Sequence, residues 1–256
     1  MIGAEPYRVL GLEVSWLGIG ILAGSLIGSW WAARAFPRFG VEASYMWKLY
    51  PYLVLGGSAG AKLWAATETL FTPDSPPFAS VLASRNGATF YGGLCLGAAA
   101  VAGKICWDRK PLRALATAIA PSLALGQAIG RIGCFLLGDD YGVPTSLPWG
   151  MSFPRGAPPT TDVVHPAQLY EALWLCACAL FLRRRLVRSR CLVAEYLVLQ
   201  GVGRFALEFI RTNPRTLGFL TTSQVLAACC AVAGALGLVL SGRATSDWRH
   251  FAGEGR

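Results

Sequence analysis

The stretch ALATAIAPSLALGQAIGRIGCFLLG, residues 114–138, decides the fold. A helix rises 1.5 Å per residue, so about 20 apolar residues cross a hydrocarbon core of about 30 Å. This run is long enough to do so, and its one charge is Arg131. A cation at that depth costs roughly 3 kcal/mol on insertion scales. A second arginine, Arg204, sits in LQGVGRFALEFI, residues 199–210. Two such residues mark helices that line a polar site rather than helices that only face lipid.

Working outward, the 256 residues are 54% hydrophobic and 14% charged. A soluble domain carries about 25% charged residues. The remaining apolar runs predict an all-α, polytopic membrane protein with seven spans, at about 14–35, 44–68, 89–107, 114–138, 166–183, 191–210 and 218–241. Residues 1–256 read as one transmembrane domain. The first nine residues hold Glu5 and Arg8 rather than a basic cluster, so no cleavable signal peptide is expected. The net charge of +9 reports topology here. Basic residues concentrate in the loops holding Arg34 and Arg38, Lys104 to Arg113, and Arg183 to Arg190, and in the tail with Arg243, Arg249 and Arg256. The opposite side has only Arg8, Arg85, Arg155, Arg211 and Arg215. This bias predicts an external N-terminus and a cytoplasmic C-terminus. No basic patch is interleaved with aromatics, which excludes nucleic acid as a partner.

The eight cysteines lie almost entirely inside apolar runs, as buried free thiols do. Cys176, Cys178, Cys229 and Cys230 lack the flanking His and loop spacing of a zinc site, so no metal is expected. Glycines at fourfold spacing, Gly20/Gly24/Gly28, Gly56/Gly60, Gly93/Gly97 and Gly126/Gly130, predict close helix approaches. The external loop 139–165 is rich in Pro, Gly and Asp and reads as a lid over a site at the outer face.

With this topology, Arg131 and Arg204 lie roughly 10 Å inside the outer boundary at 1.5 Å per residue. Lys62 takes a comparable place in the second span, and Tyr91 lies near the outer end of the third. His165, Gln168, Tyr170 and Glu171 open the fifth span, and Glu208 is one turn outward from Arg204. Cations and carboxylates at one depth suit an anionic lipid headgroup, because arginine binds phosphate in a planar fork and stays charged when desolvated.

At these residues the chain resembles the prolipoprotein diacylglyceryl transferase family. Gly130-Arg-Ile-Gly-Cys-Phe-Leu-Leu-Gly-Asp-Asp-Tyr-Gly142 is similar to that family's GRxGNFxNGExxG. His165-Pro-Ala-Gln-Leu-Tyr-Glu171 is similar to its HPxQLYE, and Arg204-Phe-Ala-Leu-Glu-Phe-Ile-Arg211 to its RxxxEFxR. Weaker matches are the segment Gly56 to Trp64, Phe90-Tyr-Gly-Gly93, and Gln224. The resemblance implies transfer of a diacylglyceryl group from phosphatidylglycerol to the lipobox cysteine thiol of a prolipoprotein, in the bacterial inner membrane and without a cofactor. It implies that Arg131 binds the lipid phosphate, that Arg204 assists departure of the headgroup, and that Glu208 orients Arg204. Asp139 stands where the family has Glu, and Gly142 matches.

The departures define a divergent member. Cys134 and Leu137 replace two asparagines, Tyr91 a histidine, Gln200 and Leu17 tyrosines, and Lys62 an arginine. Tyr91 could still donate to a phosphate oxygen, and its pKa near 10 makes it a poor base. His165 reads either as a helix-start residue bonded to the lid or as a base toward the acceptor thiol. Tyr170 also reads as an interfacial anchor. A transferase with another acceptor, or a non-catalytic lipid-handling protein of the same fold, is the alternative reading.

Overall fold

The computed structural model describes residues 7–9, 12–70, 76–84, 89–189, 191–213 and 219–243. Arg85, Arg190, Arg215, Arg249 and Arg256 of the charge count, and the side chain of Tyr91, lie outside the described residues. The elements run β1 (Tyr7–Val9), β2 (Leu12–Val14), α1 (Trp16–Ala33), a 3-10 turn (Phe36–Phe39), α2 (Tyr45–Glu68), α3 (Phe78–Ala83), α4 (Phe90–Trp107), α5 (Leu112–Leu137), β3 (Met151–Phe153), β4 (Thr160–Val164), α6 (Ala167–Arg185), α7 (Leu192–Leu207), a 3-10 turn (Glu208–Ile210) and α8 (Thr222–Arg243).

Among the described residues, three helices are long and apolar enough to cross a membrane, at Trp16–Ala33, Leu112–Leu137 and Thr222–Ser241. The others are diluted or shortened. Lys48, Lys62 and Glu68 interrupt α2, Arg183 to Arg185 end α6, and α7 is 16 residues long. Their outward faces are nonetheless apolar: Leu55 and Leu173 are about 70% exposed, and Leu180 and Val202 more than half. Solvent-facing helices carry charge at such positions, so these faces fit a lipid surround.

The chain groups into two compact units, residues 33–115 and residues 1–32 with 116–256. In the first of these, α2 and α4 meet through glycine. A Cβ on Gly56 would stand 2.8 Å from Ala100 Cβ, and one on Gly93 would stand 3.0 Å from Gly57 O. Both distances are tighter than ordinary Cβ contacts, so glycine at these positions lets the helices approach closely. At the end of this helix pair, Tyr45 Oη donates to Asp108 Oδ2 at 2.8 Å and Lys104 Nζ donates to Oδ1 at 2.7 Å. Those two donors outweigh burial and hold the Asp108 carboxyl below its ordinary range.

The second unit holds α1, α5, α6, α7, α8 and both β-pairs. Here α1 and α5 make the corresponding approach, with Gly24 against Gly126 and Gly20 against Gly133. A Cβ on Gly20 would lie 2.8 Å from Gly133 Cα. Gly130, expected to share this role, has open space where its Cβ would be. Seven residues, two helical turns, separate Gly126 from Gly133. The stripe runs through Gly126 and Gly133, and Gly130 meets α1 through its carbonyl oxygen, 3.4 Å from where a Cβ on Gly20 would stand. A second stripe on α5, Ala120, Ala124 and Ala128, is at most 1% exposed. Its continuation three residues on brings Arg131 inward.

The loop 139–165 contains more order than its composition suggested. Strands β3 and β4 pair antiparallel, with Met151 opposite Val164 and Phe153 opposite Thr160. Phe153 anchors the ribbon, edge-on to Phe135 at 5.9 Å and stacked on Tyr141 at 5.6 Å. Strands of three and five residues are too short for an alternating pattern to stand out in sequence.

Candidate active site

The site begins where α5 ends. Gly138 adopts φ 77°, a left-handed value that glycine reaches without steric cost. Its N–H donates to Phe135 O at 3.2 Å, and the Asp139 N–H donates to Cys134 O at 3.3 Å. This is a Schellman ending. It reverses the chain and returns Asp139 and Asp140 toward the last turn of the helix. Asp140 Oδ2 accepts from Arg131 Nη1 at 2.8 Å, and Oδ1 pairs with Arg211 Nη2.

Helix α6 enters from the other side. Pro166 precedes its first residue, as suits a residue that cannot be used in a helix interior. Gln168 and Glu171, three residues apart on one face, are both buried. Gln168 Nε2 donates to the Asp139 carbonyl, tying the returning loop to the helix. Glu171 lies one turn deeper. Its Oε2 is 3.1 Å from Arg131 Nε, 3.1 Å from Arg204 Nη1 and 3.7 Å from Arg211 Nη1.

Helix α7 and the 3-10 turn after it supply Arg204, Glu208 and Arg211, at i, i+4 and i+7 on one face. Glu208 Oε2 lies 3.2 Å from Arg204 Nη2 and 3.6 Å from Arg211 Nε. Its other oxygen accepts from Asn213 Nδ2 at 2.7 Å and Thr221 Oγ1 at 2.9 Å. Thr221 in turn starts α8. The Gln224 N–H donates to Thr221 Oγ1 at 3.1 Å, and the Thr221 N–H donates to Gln224 Oε1 at 3.0 Å. This reciprocal pair is a capping box. Gln224, a weak motif match in sequence, therefore fastens α8 to the arginine cluster through Thr221. Thr221→Val is expected to lose roughly 1–2 kcal/mol, because it removes a cap and leaves Glu208 Oε1 with one donor fewer. Thermal unfolding in detergent measures this, with Thr221→Ser expected to retain most of the stability.

Three guanidiniums and three carboxylates thus interlock: Arg131, Arg204 and Arg211 with Asp140, Glu171 and Glu208. Their formal charges cancel, which lets the cluster sit in an apolar bundle. Arg211 is 3% exposed on its side chain and Glu208 is fully buried, whereas Asp140 is 39% exposed. Arg211 Nε and Nη1 are buried with no hydrogen-bond partner among the described residues. Their ion-pair distances of 3.6 and 3.7 Å exceed hydrogen-bonding range. The cluster therefore keeps unused donors.

Burial favours the neutral form of both aspartates, and their surroundings separate them. Burial and the neighbouring Asp140 push Asp139 up to about 6. Burial acts on Asp140 too, but Arg211 and Arg131 more than reverse it and hold that carboxyl at about 2. The carboxylate toward the arginines stays ionised at neutral pH, and its neighbour is poised near it.

Among the other residues singled out in sequence, Cys134 is buried with its Sγ 3.8 Å from Arg131 Nη1. Cys134, Asp139 and Asp140 bring their ligand-type atoms within 4.8 Å of one another. A cation there would face two guanidiniums already paired with Asp140, so the group is poorly suited to a metal. Gly142 pairs backbone to backbone with Arg211, and a Cβ on it would lie 2.9 Å from His165 Cβ. The Gly142 N–H donates to His165 O at 2.9 Å. Tyr170 Oη accepts from Trp149 Nε1 at 2.8 Å and lies 3.3 Å from His165 Nδ1. His165 and Tyr170 thus tie the start of α6 to the external loop. Lys62 and Tyr91 belong to the unit of residues 33–115, where Lys62 Nζ donates to Ser84 O at 2.6 Å.

Arg211 and Asp140 were missed as site residues. Both signals were present: Arg211 closes the motif begun by Arg204, and Asp140 adjoins Asp139. The 3-10 turn at Glu208–Ile210 keeps Arg211 within reach of Glu171 and Glu208.

A mostly helical chain with apolar outward faces and a buried, charge-balanced arginine cluster defines a membrane protein with a polar centre. The chain belongs to the prolipoprotein diacylglyceryl transferase family, whose description matches residues 7–240. It is 32% identical over 242 residues to the phosphatidylglycerol–prolipoprotein diacylglyceryl transferase of Synechococcus elongatus, covering 89% of this chain and 83% of the relative. It is 30% identical over 237 residues to the protein of the same name in Clostridium tetani, covering 89% and 93%. The like-named protein of Gloeobacter violaceus is 32% identical over 243 residues, covering 90% of each.

Proposed function

We propose that this chain is a multi-pass membrane enzyme that transfers the diacylglyceryl group of phosphatidylglycerol to the lipobox cysteine of a prolipoprotein. In this reading it spans the bacterial inner membrane seven times as one transmembrane domain, with an external N-terminus, a cytoplasmic C-terminus and loop 139–165 as an outer cap. The observation that carries the site assignment is the convergence of Arg131, Arg204 and Arg211 on the single carboxylate oxygen Glu171 Oε2. Three fork-shaped donors aimed at one point suit a phosphate.

Arg131 holds the phosphate of the donor lipid, with the unused donors of Arg211 beside it. Arg204 stabilises the charge that gathers on the leaving phosphate oxygen as the carbon–oxygen bond breaks, since fixed cations act most strongly where charge develops. Glu208 orients Arg204, Glu171 spaces the three arginines, and Gln168 and Gly142 hold the loop against them. His165 and Tyr170 couple the cap to α6 and border the path of the acceptor. No metal or cofactor is required, because the headgroup itself leaves as glycerol phosphate and the nucleophile is the acceptor's thiol. Incubation of the purified full-length protein with labelled phosphatidylglycerol and a lipobox peptide is expected to release glycerol phosphate and lipidate the peptide. Lipid binding without any release would instead indicate a lipid-handling protein.

A further inference from the structure

Asp140 occupies the part of the arginine fork that an incoming phosphate needs. One of its oxygens sits 2.8 Å from Arg131 Nη1 and the other pairs with Arg211 Nη2, an arrangement two phosphate oxygens would reproduce. The remaining carboxylates of the cluster are fixed from below: the side chains of Glu171 and Glu208 are 6% and 0% exposed. Asp140 alone among the three is substantially open, at 39%. It stands at φ 61° on the turn two residues beyond Gly138, so it is carried by a tight loop rather than by a helix. Left-handed values are uncommon for a residue with a Cβ, although Asp tolerates them. Arg211 Nε and Nη1 are buried donors with no hydrogen-bond partner among the described residues. The family pattern quoted above does not fix the residue at this position.

We propose that Asp140 is a built-in anion that competes with the phosphate for Arg131 and Arg211, and so sets how strongly the site holds its donor lipid and its product. This rests on the reading of Arg131 as the phosphate ligand. In the transfer, the acceptor sulfur forms a bond to the glyceryl carbon and gives up its proton. The bond from that carbon to the phosphate oxygen breaks, and the electron pair leaves with glycerol phosphate. The phosphate therefore passes from a singly charged diester to a monoester that carries close to two charges at neutral pH. A carboxylate tethered within a few ångströms repels the product more than the donor, since Coulomb energy scales with charge. Arg131 and Arg211 keep Asp140 ionised throughout the neutral range, so the competitor is always present. Asp140 thus favours release of glycerol phosphate, at the expense of some affinity for phosphatidylglycerol.

The test uses the full-length protein in nanodiscs and a lipobox peptide. It measures KM for phosphatidylglycerol and the inhibition constant for added glycerol phosphate. Asp140→Asn is expected to tighten product inhibition by about tenfold or more and to lower KM by a smaller factor, because a like charge close to a bound anion is costly. Asp140→Glu restores a carboxylate and is expected to weaken product inhibition again relative to Asn. Direct binding of glycerol phosphate to Asp140→Ser, read beside its thermal unfolding, gives the same comparison should the Asn variant fold poorly. Inhibition and KM that are unchanged or weakened in the Asn and Ser variants would overturn the proposal. An Arg131→Ala arm separates this from the underlying reading. If Arg131→Ala leaves KM intact, the phosphate assignment itself fails. If Arg131→Ala raises KM while Asp140→Asn has no effect, only the competition by Asp140 fails.

Discussion

Arg131→Ala is expected to lower the rate of diacylglyceryl transfer by about 10²–10³-fold, the size of effect seen when a positioned charge donor is lost from a reacting site. The protein is expected to lose stability but to remain folded, since the Arg131 side chain is partly exposed and alanine leaves no buried polar group in its place. Asp140 keeps Arg211 as a partner, and Glu171 keeps Arg204 and Arg211. What changes is the balance of charge. Two guanidiniums would face three carboxylates, and an anionic headgroup would enter a site of net negative charge. Arg131→Lys is not a conservative replacement here. Arg131 reaches Asp140 through Nη1 and Glu171 through Nε, two directions at once that a point ammonium does not reproduce. It is therefore expected to recover only a small part of the activity. Transfer to a lipobox peptide, compared with thermal unfolding of the same preparations, checks both statements. Rapid transfer by a well-folded Arg131→Ala protein would remove this residue from the phosphate site.

Glu171→Gln is expected to damage the fold as well as the activity. Glu171 Oε2 is the common partner of all three arginines and is itself buried. Glutamine has nearly the same shape but leaves three cations facing two carboxylates in an apolar surround. Removing one partner of a buried ionic network costs roughly 3–5 kcal/mol, since the remaining charges are left uncompensated. Loss of most of the folded protein on mild heating in detergent is the expected result. Added phosphatidylglycerol should restore part of the stability, because its phosphate replaces the missing negative charge and binds only the folded form. Unfolding that is the same as wild type would mean that Glu171 does not hold the arginines together.

Much of this was legible in the sequence, for physical reasons. The runs at 14–35 and 114–138 are long and nearly free of charge, and helices Trp16–Ala33 and Leu112–Leu137 lie within them to a few residues. Arg131, Glu171, Arg204 and Glu208 stood out because a charge in an apolar run is expensive, and those four interlock in the structure. What was not legible depends on the backbone between elements. The Schellman ending at Gly138 turns Asp140, not Asp139, toward Arg131, and no spacing rule separates two adjacent aspartates. The 3-10 turn at Glu208–Ile210 retains Arg211 inside the cluster where a simple loop would have released it. Gln224 had no evident task until its capping box joined Thr221 to Glu208. Gly130 meets α1 through its carbonyl rather than its Cα, a rotation of the helix that glycine spacing alone does not specify.

The central claim is that the arginine cluster holds the phosphate of the donor lipid. Equilibrium binding of phosphatidylglycerol to the full-length protein in nanodiscs of zwitterionic lipid, wild type against Arg131→Ala, tests it most directly. Saturable binding that weakens by about 100-fold in the variant, while its thermal unfolding remains cooperative, is the expected result. Undiminished binding by a folded Arg131→Ala protein would contradict it.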